Sequence, residues 1–152
     1  MIRAMAVADA EGVAALIRDA FSRLPMAIDP PSSALRETEA SVAAHLGTGG
    51  GAIVDEVGLV ACILWEERDG ALYLGRLAVA PGWRGRGIAE RLVEAAADEA
   101  RRRSLPRLRL GVRLALEGNR RLFARLGFVE VGLRSHEGYT APTSVDMERS
   151  LR

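Results

Sequence analysis

Apolar positions along this chain change period several times, and each change marks an element. Residues 2–5 form a short apolar run that reads as a strand. Val13, Leu16, Ile17 and Ala20 then share one helical face, with Asp9 standing as an N-cap. Pro25, Pro30 and Pro31 interrupt residues 22–33, which predicts a loop. A second helix is expected over 34–46, capped by Ser32 or Ser33 and turning Val42 and Leu46 inward. The Gly49-Gly50-Gly51 run reads as a turn, followed by strands at 52–55, 57–65 and 71–79. Asp69-Gly70 is a strong hairpin signal between the last two. Ile88, Leu92, Val93, Ala96, Ala97 and Ala100 restore helical spacing as far as about Arg103. Leu108, Leu110, Val112 and Leu114 alternate with Arg109, Gly111 and Arg113, the period of a strand. A short helix over 119–126 ends at Gly127, and strands at 128–134 and 144–148 close the chain as a hairpin around 138–142. The sum is an α/β protein with one mixed sheet, a single domain over residues 1–152, and no internal repeat.

Composition narrows the chemistry. With 152 residues, 49% of them hydrophobic, the chain is long enough for a real core. A net charge of +1 gives no general field for nucleic acid or an anionic membrane, so neither is expected as a partner. Arg101, Arg102 and Arg103 sit where they complement a helix C-terminus. All 21 Lys-plus-Arg residues are arginine, which removes any lysine nucleophile, Schiff base or Walker lysine. No apolar stretch reaches the roughly 20 residues of a membrane span, and residues 1–10 lack a signal core. The single cysteine, Cys62, has no disulfide partner in the chain and reads as a core residue; a cytoplasmic location is the expectation.

The most informative segment is Arg84-Gly85-Arg86-Gly87-Ile88-Ala89, set between an apolar strand and a long amphipathic helix. Strand, glycine turn and helix start together aim backbone N–H groups at one point, a geometry suited to phosphate. A dinucleotide fingerprint would need glycine where Glu90 stands, and a Walker loop would need lysine where Ile88 stands. The spacing that fits is Arg/Gln-x-x-Gly-x-Gly/Ala, carried by Arg84, Gly87 and Ala89. With Leu77-Ala78-Val79-Ala80-Pro81 before it and Leu92-Val93 after it, the segment resembles the pyrophosphate-binding motif of the GCN5-related N-acetyltransferases (GNAT family). Ile2-Arg3 followed by Asp9 resembles the start of that family, and Leu122-Phe123-Ala124-Arg125-Leu126-Gly127-Phe128 resembles its Leu-Tyr-x-x-Leu-Gly-Phe segment.

The resemblance implies a mostly antiparallel central sheet flanked by helices, with acetyl-coenzyme A (acetyl-CoA) as co-substrate. Along Leu77, Ala78 and Val79 the backbone would pair with the pantetheine arm. Arg84, Gly85, Arg86, Gly87, Ile88 and Ala89 would hold the pyrophosphate. Direct attack of a primary amine of a small molecule or peptide on the thioester is implied, with a backbone N–H near Val79 stabilising the oxyanion. The chain departs from the pattern twice. Phe123 occupies the position of the usual tyrosine acid, and Leu116 that of the usual asparagine. Asn119 either replaces the asparagine's contact to the cofactor or caps the short helix, and Phe123 would still face the cofactor. Tyr139, a water or no group at all would serve as acid. Glu66, Glu67, Tyr73 and His136 are the candidate bases. The acceptor pocket would lie between residues 21–35 and 135–143, with Asp29 available to a cationic amine. No metal site is assigned, and a homodimer is a possible assembly. The alternative is a non-catalytic acyl-coenzyme A binding or regulatory module.

Overall fold

The computed structural model describes residues 1–152. Its strands are β1 (Ile2–Ala4), β2 (Gly50–Asp55), β3 (Leu59–Arg68), β4 (Ala71–Val79), β5 (Arg107–Arg113), β6 (Val129–Arg134) and β7 (Ser144–Ser150). Its helices are α1 (Ala10–Ser22), α2 (Glu39–Thr48), α3 (Ile88–Arg102) and α4 (Glu117–Arg125). The strands form one 7-stranded sheet in the order β1-β2-β3-β4-β5-β7-β6. Every neighbouring pair is antiparallel except β4 and β5. This is the mixed, mostly antiparallel α/β architecture expected. No helix is long and apolar enough to cross a membrane.

Strand alternation divides the core into two layers. Leu72, Leu74, Leu108, Leu110, Val112, Val145 and Met147 point to the face covered by α3, whose Leu92, Val93, Ala96 and Ala97 are fully buried. Cys62, Leu64 and Ala78 point to the other face, under Val13, Ile17 and Val42 of α1 and α2. On that second face β5 carries Arg109, Gly111 and Arg113 instead of apolar residues, so the sheet there is left to chemistry.

Two local expectations need correction. Gly50 and Gly51 lie inside β2 rather than in a turn. A Cβ on Gly51 would sit 2.4 Å from the Ile63 carbonyl, and one on Gly50 would sit 2.6 Å from Trp65 Nε1. These glycines therefore serve the close approach of β2 to β3. Gly51→Ala is expected to lower stability by about 2 kcal/mol through overpacking, read as a lower melting temperature; an unchanged melt would contradict this packing. The second helix is also split. Ser32 caps a 3₁₀ turn at Ser33–Arg36, its Oγ accepting from the Ala34 N–H at 3.1 Å. The chain then extends through Glu37 and restarts as α2 with Thr38 as N-cap, where Thr38 and Ser41 form a reciprocal capping box.

The predicted hairpin at Asp69-Gly70 is present, with φ of 51° and 75°, the pair of positive values a type I′ turn requires. Beyond it, β4 does something the sequence does not announce. It pairs with β5 only at Leu72 and Tyr73, while it follows β3 as far as Val79. A bulge sets Arg76 and Leu77 together opposite Ile63, with Arg76 at φ 54°. The second half of β4 is thereby turned away from β5, and its β5-side edge is left without a strand partner. At the far end of the sheet β6 is an edge strand with Val129, Val131 and Leu133 exposed.

Candidate active site

The gap between the diverging ends of β4 and β5 is a cavity of about 410 Å³. Leu74, Gly75, Arg76 and Leu77 form one wall, and Leu110 to Arg113 the other. Phe21 and Ser32 close it from the α1–α2 connection, Asn119 and Phe123 from α4, and Ser135 and His136 from the β6–β7 loop. That volume is small for a ligand pocket, where roughly 300–1,000 Å³ is usual.

The glycine turn stands beyond the end of β4, outside this cavity and exposed. Gly85 and Gly87 hold φ of 76° and 74°, which glycine adopts without the cost other residues incur. A Cβ at either position would meet nothing within 4 Å, so the space above the turn is open. Gly87 is the N-cap of α3, a helix of 15 residues. The N–H groups of Gly87, Ile88, Ala89 and Glu90 donate to no acceptor within the protein. An open, glycine-lined run of free donors at a helix N-terminus matches the needs of a pyrophosphate. The two arginines are held back in the same region. Arg84 Nε donates to the Val79 carbonyl at 3.2 Å, and the Arg86 guanidinium lies 4.7 Å above the Trp83 ring. From turn to cavity runs the free edge of β4 through Leu77, Ala78 and Val79, so the parts assigned to a coenzyme A lie in one line.

The candidate proton-transfer groups separate clearly. Glu66 lies outside the cavity, ion-paired with Arg68, whose guanidinium sits 4.2 Å over the Tyr73 ring. Tyr139 also lies outside it. Its hydroxyl donates to Asp29 Oδ1 at 2.6 Å, and that hydrogen bond, with some burial and the charge of Asp29, raises its pKa. The Glu66 carboxylate is thus taken up by Arg68, and the Tyr139 proton by Asp29. His136 does line the cavity. Its backbone N–H donates to Thr143 Oγ1 at 3.0 Å, and its Nδ1 contacts the same oxygen. The Thr143 hydroxyl is directed to the Arg134 carbonyl at 3.4 Å. With the Thr143 proton on that carbonyl, Oγ1 would accept from Nδ1–H, the tautomer that leaves the Nε2 lone pair free. Burial, and then the charge of Arg113, lower the His136 pKa and favour its neutral form.

Asn119 is not a cap. Leu116 holds the N-cap position of α4, and no side chain caps it, while Asn119 faces the cavity. Phe123 packs edge-on against Phe128 with ring centroids 5.7 Å apart and lines the cavity with a surface that has no proton to give. Cys62 is buried and its thiol is pushed by burial up to about 12, so it is no nucleophile near neutral pH.

The cavity also contains Tyr73, a candidate base from the sequence, and two residues that the sequence did not single out, Asp146 and Arg113. Asp146 is buried, yet its Oδ2 accepts from Arg134 at 2.9 Å and from Arg109 at 3.4 Å. Tyr73 Oη and Asp146 Oδ1 converge over Gly111, 3.1 and 3.6 Å from where its Cβ would be. Arg113 donates to the carbonyls of Pro30 and Pro31 at 2.6 and 3.4 Å. The signal available was the alternation in β7, where Ser144, Asp146 and Glu148 oppose the apolar Val145 and Met147.

Known proteins share this fold. The family described as Acetyltransferase (GNAT) matches residues 14–128. An N-acetyltransferase from Staphylococcus aureus superposes with a TM-score of 0.77 at 18% identity, covering 100% of this chain and 98% of that one. A candidate acetyltransferase from Salmonella typhimurium, solved with its cofactor acetyl-CoA, gives 0.73 at 19% identity over 100% and 94% of the two chains. A ribosomal-protein-alanine N-acetyltransferase from Brucella melitensis gives 0.73 at 19% over 99% of each. No curated protein matches the chain in sequence. At such identities the solved structures speak for the fold, and the family match covers most of the chain. The protein belongs to the GNAT acetyltransferase family.

Proposed function

We propose that this protein is an N-acetyltransferase that moves the acetyl group of acetyl-CoA directly to a primary amine of a small molecule or peptide, with His136 as general base. The observation that carries the reading is the divergence of β4 from β5. It opens a backbone edge leading from the free N–H groups at Gly87 to Glu90 into a cavity lined by His136.

Acetyl-CoA is the acyl donor and supplies a reactive thioester. The protein's residues do the rest. Free N–H groups at the start of α3 hold the pyrophosphate, and the β4 edge at Leu77 to Val79 binds the amide groups of the pantetheine arm. An alkylamine arrives mostly protonated, its pKa being about 10. His136 Nε2 takes one proton, directly or through a water, and the free amine attacks the thioester carbonyl. The N–C bond forms and the C–S bond breaks. Coenzyme A leaves as the thiolate, and the second proton given up by the nitrogen passes to its sulfur, directly or through water, to give the thiol. A thiolate is a good leaving group, so Phe123 in place of a proton donor is compatible with turnover. With Cys62 buried and protonated, direct transfer is favoured over an acyl-enzyme.

Thiol release from acetyl-CoA should rise with a subset of a primary-amine panel and remain at background without amine. Tight acetyl-CoA binding with no amine-dependent thiol release across that panel would replace this reading with a non-catalytic binding module.

A further inference from the structure

Three guanidinium groups line the cavity, and their pairing is unequal. Arg76 is held by Glu37, its Nε donating to Oε2 at 2.7 Å, and by Ser33 Oγ at 2.9 Å. Arg134 is held by Asp146. Arg113 has no carboxylate within ion-pair distance, and the charge of Asp29 reaches it only from farther off. Its two hydrogen bonds go to the peptide carbonyls of Pro30 and Pro31, which orient the group without neutralising it. Burial lowers its pKa, but an arginine keeps its proton at any physiological pH. A half-buried cation without a direct counter-ion is stabilised by an anion.

Strand register places this charge in an ordered row. Arg113 is opposite Ser144 on β7, and Ser144 is opposite Arg134 on β6, so all three side chains share one face at one level of the sheet. Two residues along β7, about 7 Å away, Asp146 stands between Gly111 and Gly132. Both arginines that contact Asp146 use Oδ2. Its Oδ1 makes no hydrogen bond within the protein, nor does Tyr73 Oη beside it. The cavity therefore offers an anion site at Arg113, Ser144 and Arg134, and next to it an ammonium site at Asp146 Oδ1 and Tyr73 Oη. The two sites are one small molecule apart.

From this juxtaposition we infer that the acceptor is a free amino acid, its carboxylate bound by Arg113 with Ser144 and Arg134, and its ammonium received by Asp146 Oδ1 and Tyr73 Oη, in the cavity that His136 also lines. The inference rests on the acetyl-transfer reading and narrows it. A peptide amine carries no carboxylate beside its nitrogen and leaves Arg113 uncompensated.

The test pairs amino acids with the amines obtained by removing their carboxylate. Binding is read by calorimetry on protein saturated with coenzyme A, and transfer by thiol release from acetyl-CoA. The expected result is binding of at least one amino acid about 30-fold or more tighter than its decarboxylated partner, the worth of a charge-assisted bidentate contact. In Arg113→Gln, compared at a pH where His136 is neutral in both proteins, the KM of that amino acid should rise by a similar factor, while the KM of the decarboxylated amine changes far less; Arg113→Lys should recover part of the loss. An Arg113 that only braces the Pro30–Pro31 loop would weaken both acceptors equally. That result would overturn the inference, as would decarboxylated amines binding as well as their parents or no member of any pair binding. Carboxylate-dependent binding without thiol release would uphold the cavity as an amino-acid site and remove the acetyl-transfer reading instead.

Discussion

Gly87→Glu is expected to reduce acetyl-CoA affinity by about 100-fold or more while leaving the protein folded. The effect has two parts. A glutamate at this N-cap brings a negative charge to the point where free N–H groups are to meet a pyrophosphate, reversing the local electrostatics. It also forces a side chain into the left-handed backbone region, where φ is 74°, at a cost of about 1–2 kcal/mol. Only that second part touches stability, because a Cβ at Gly87 meets nothing within 4 Å. Gly87→Ala separates the two: it should show the strain and a much smaller loss of binding. Calorimetric titration with acetyl-CoA and a thermal melt measure both. Undiminished affinity in Gly87→Glu would remove the turn from the cofactor site.

The second large effect concerns His136. Replacing it with glutamine keeps a hydrogen-bonding side chain of similar size but removes the titratable nitrogen. A fall in kcat/KM of about 10²–10³-fold is expected for the loss of a general base. The pH profile carries the sharper signature. Burial and then Arg113 hold the His136 pKa below its ordinary value of 6.5, so the neutral, proton-accepting form grows as pH rises through that lowered value. The wild-type kcat/KM should therefore climb on the acid side and level off before pH 7. In His136→Gln that acid limb should vanish. A variant that retains both the limb and most of the rate would transfer the role of base elsewhere, with Asp146 the next group in the cavity.

Much of this architecture could be read from residue pattern alone, and the reason is local. Gly85 and Gly87 are needed where the backbone takes positive φ, and Ile88 to Ala100 repeat at helical spacing, so the turn and α3 are written in contiguous sequence. Asp69-Gly70 is legible for the same cause. The glycine run at residues 49–51 shows the limit of such reading: its glycines relieve a clash with β3, a strand more than ten residues away, and only the pairing reveals it. The bulge at Arg76 is harder still, since an arginine at φ 54° carries no glycine-like mark.

The acceptor side depends on contacts that sequence distance conceals. Arg113, Ser144 and Arg134 become a row only when β7 inserts between β5 and β6. Tyr139 has the chemistry of an acid, yet its hydroxyl is held by Asp29, 110 residues earlier in the chain. His136 is nameable as a base from its type and loop, but its readiness comes from Thr143 at the other end of that loop, from burial, and from Arg113 on β5. Donor recognition is thus largely local, whereas acceptor recognition is assembled across the sheet.

The central claim, direct transfer of an acetyl group to an amine in the β4–β5 cleft, is tested most directly by a single-turnover reaction. Protein in excess is mixed with acetyl-CoA labelled in the acetyl group and with an accepting amine, and label is followed by mass spectrometry. The account predicts that label passes to the amine nitrogen in step with thiol release, that none is found on the protein, and that His136→Gln slows the transfer. Label on a protein side chain before it reaches the amine, or bound acetyl-CoA that stays intact with every amine tried, would contradict it.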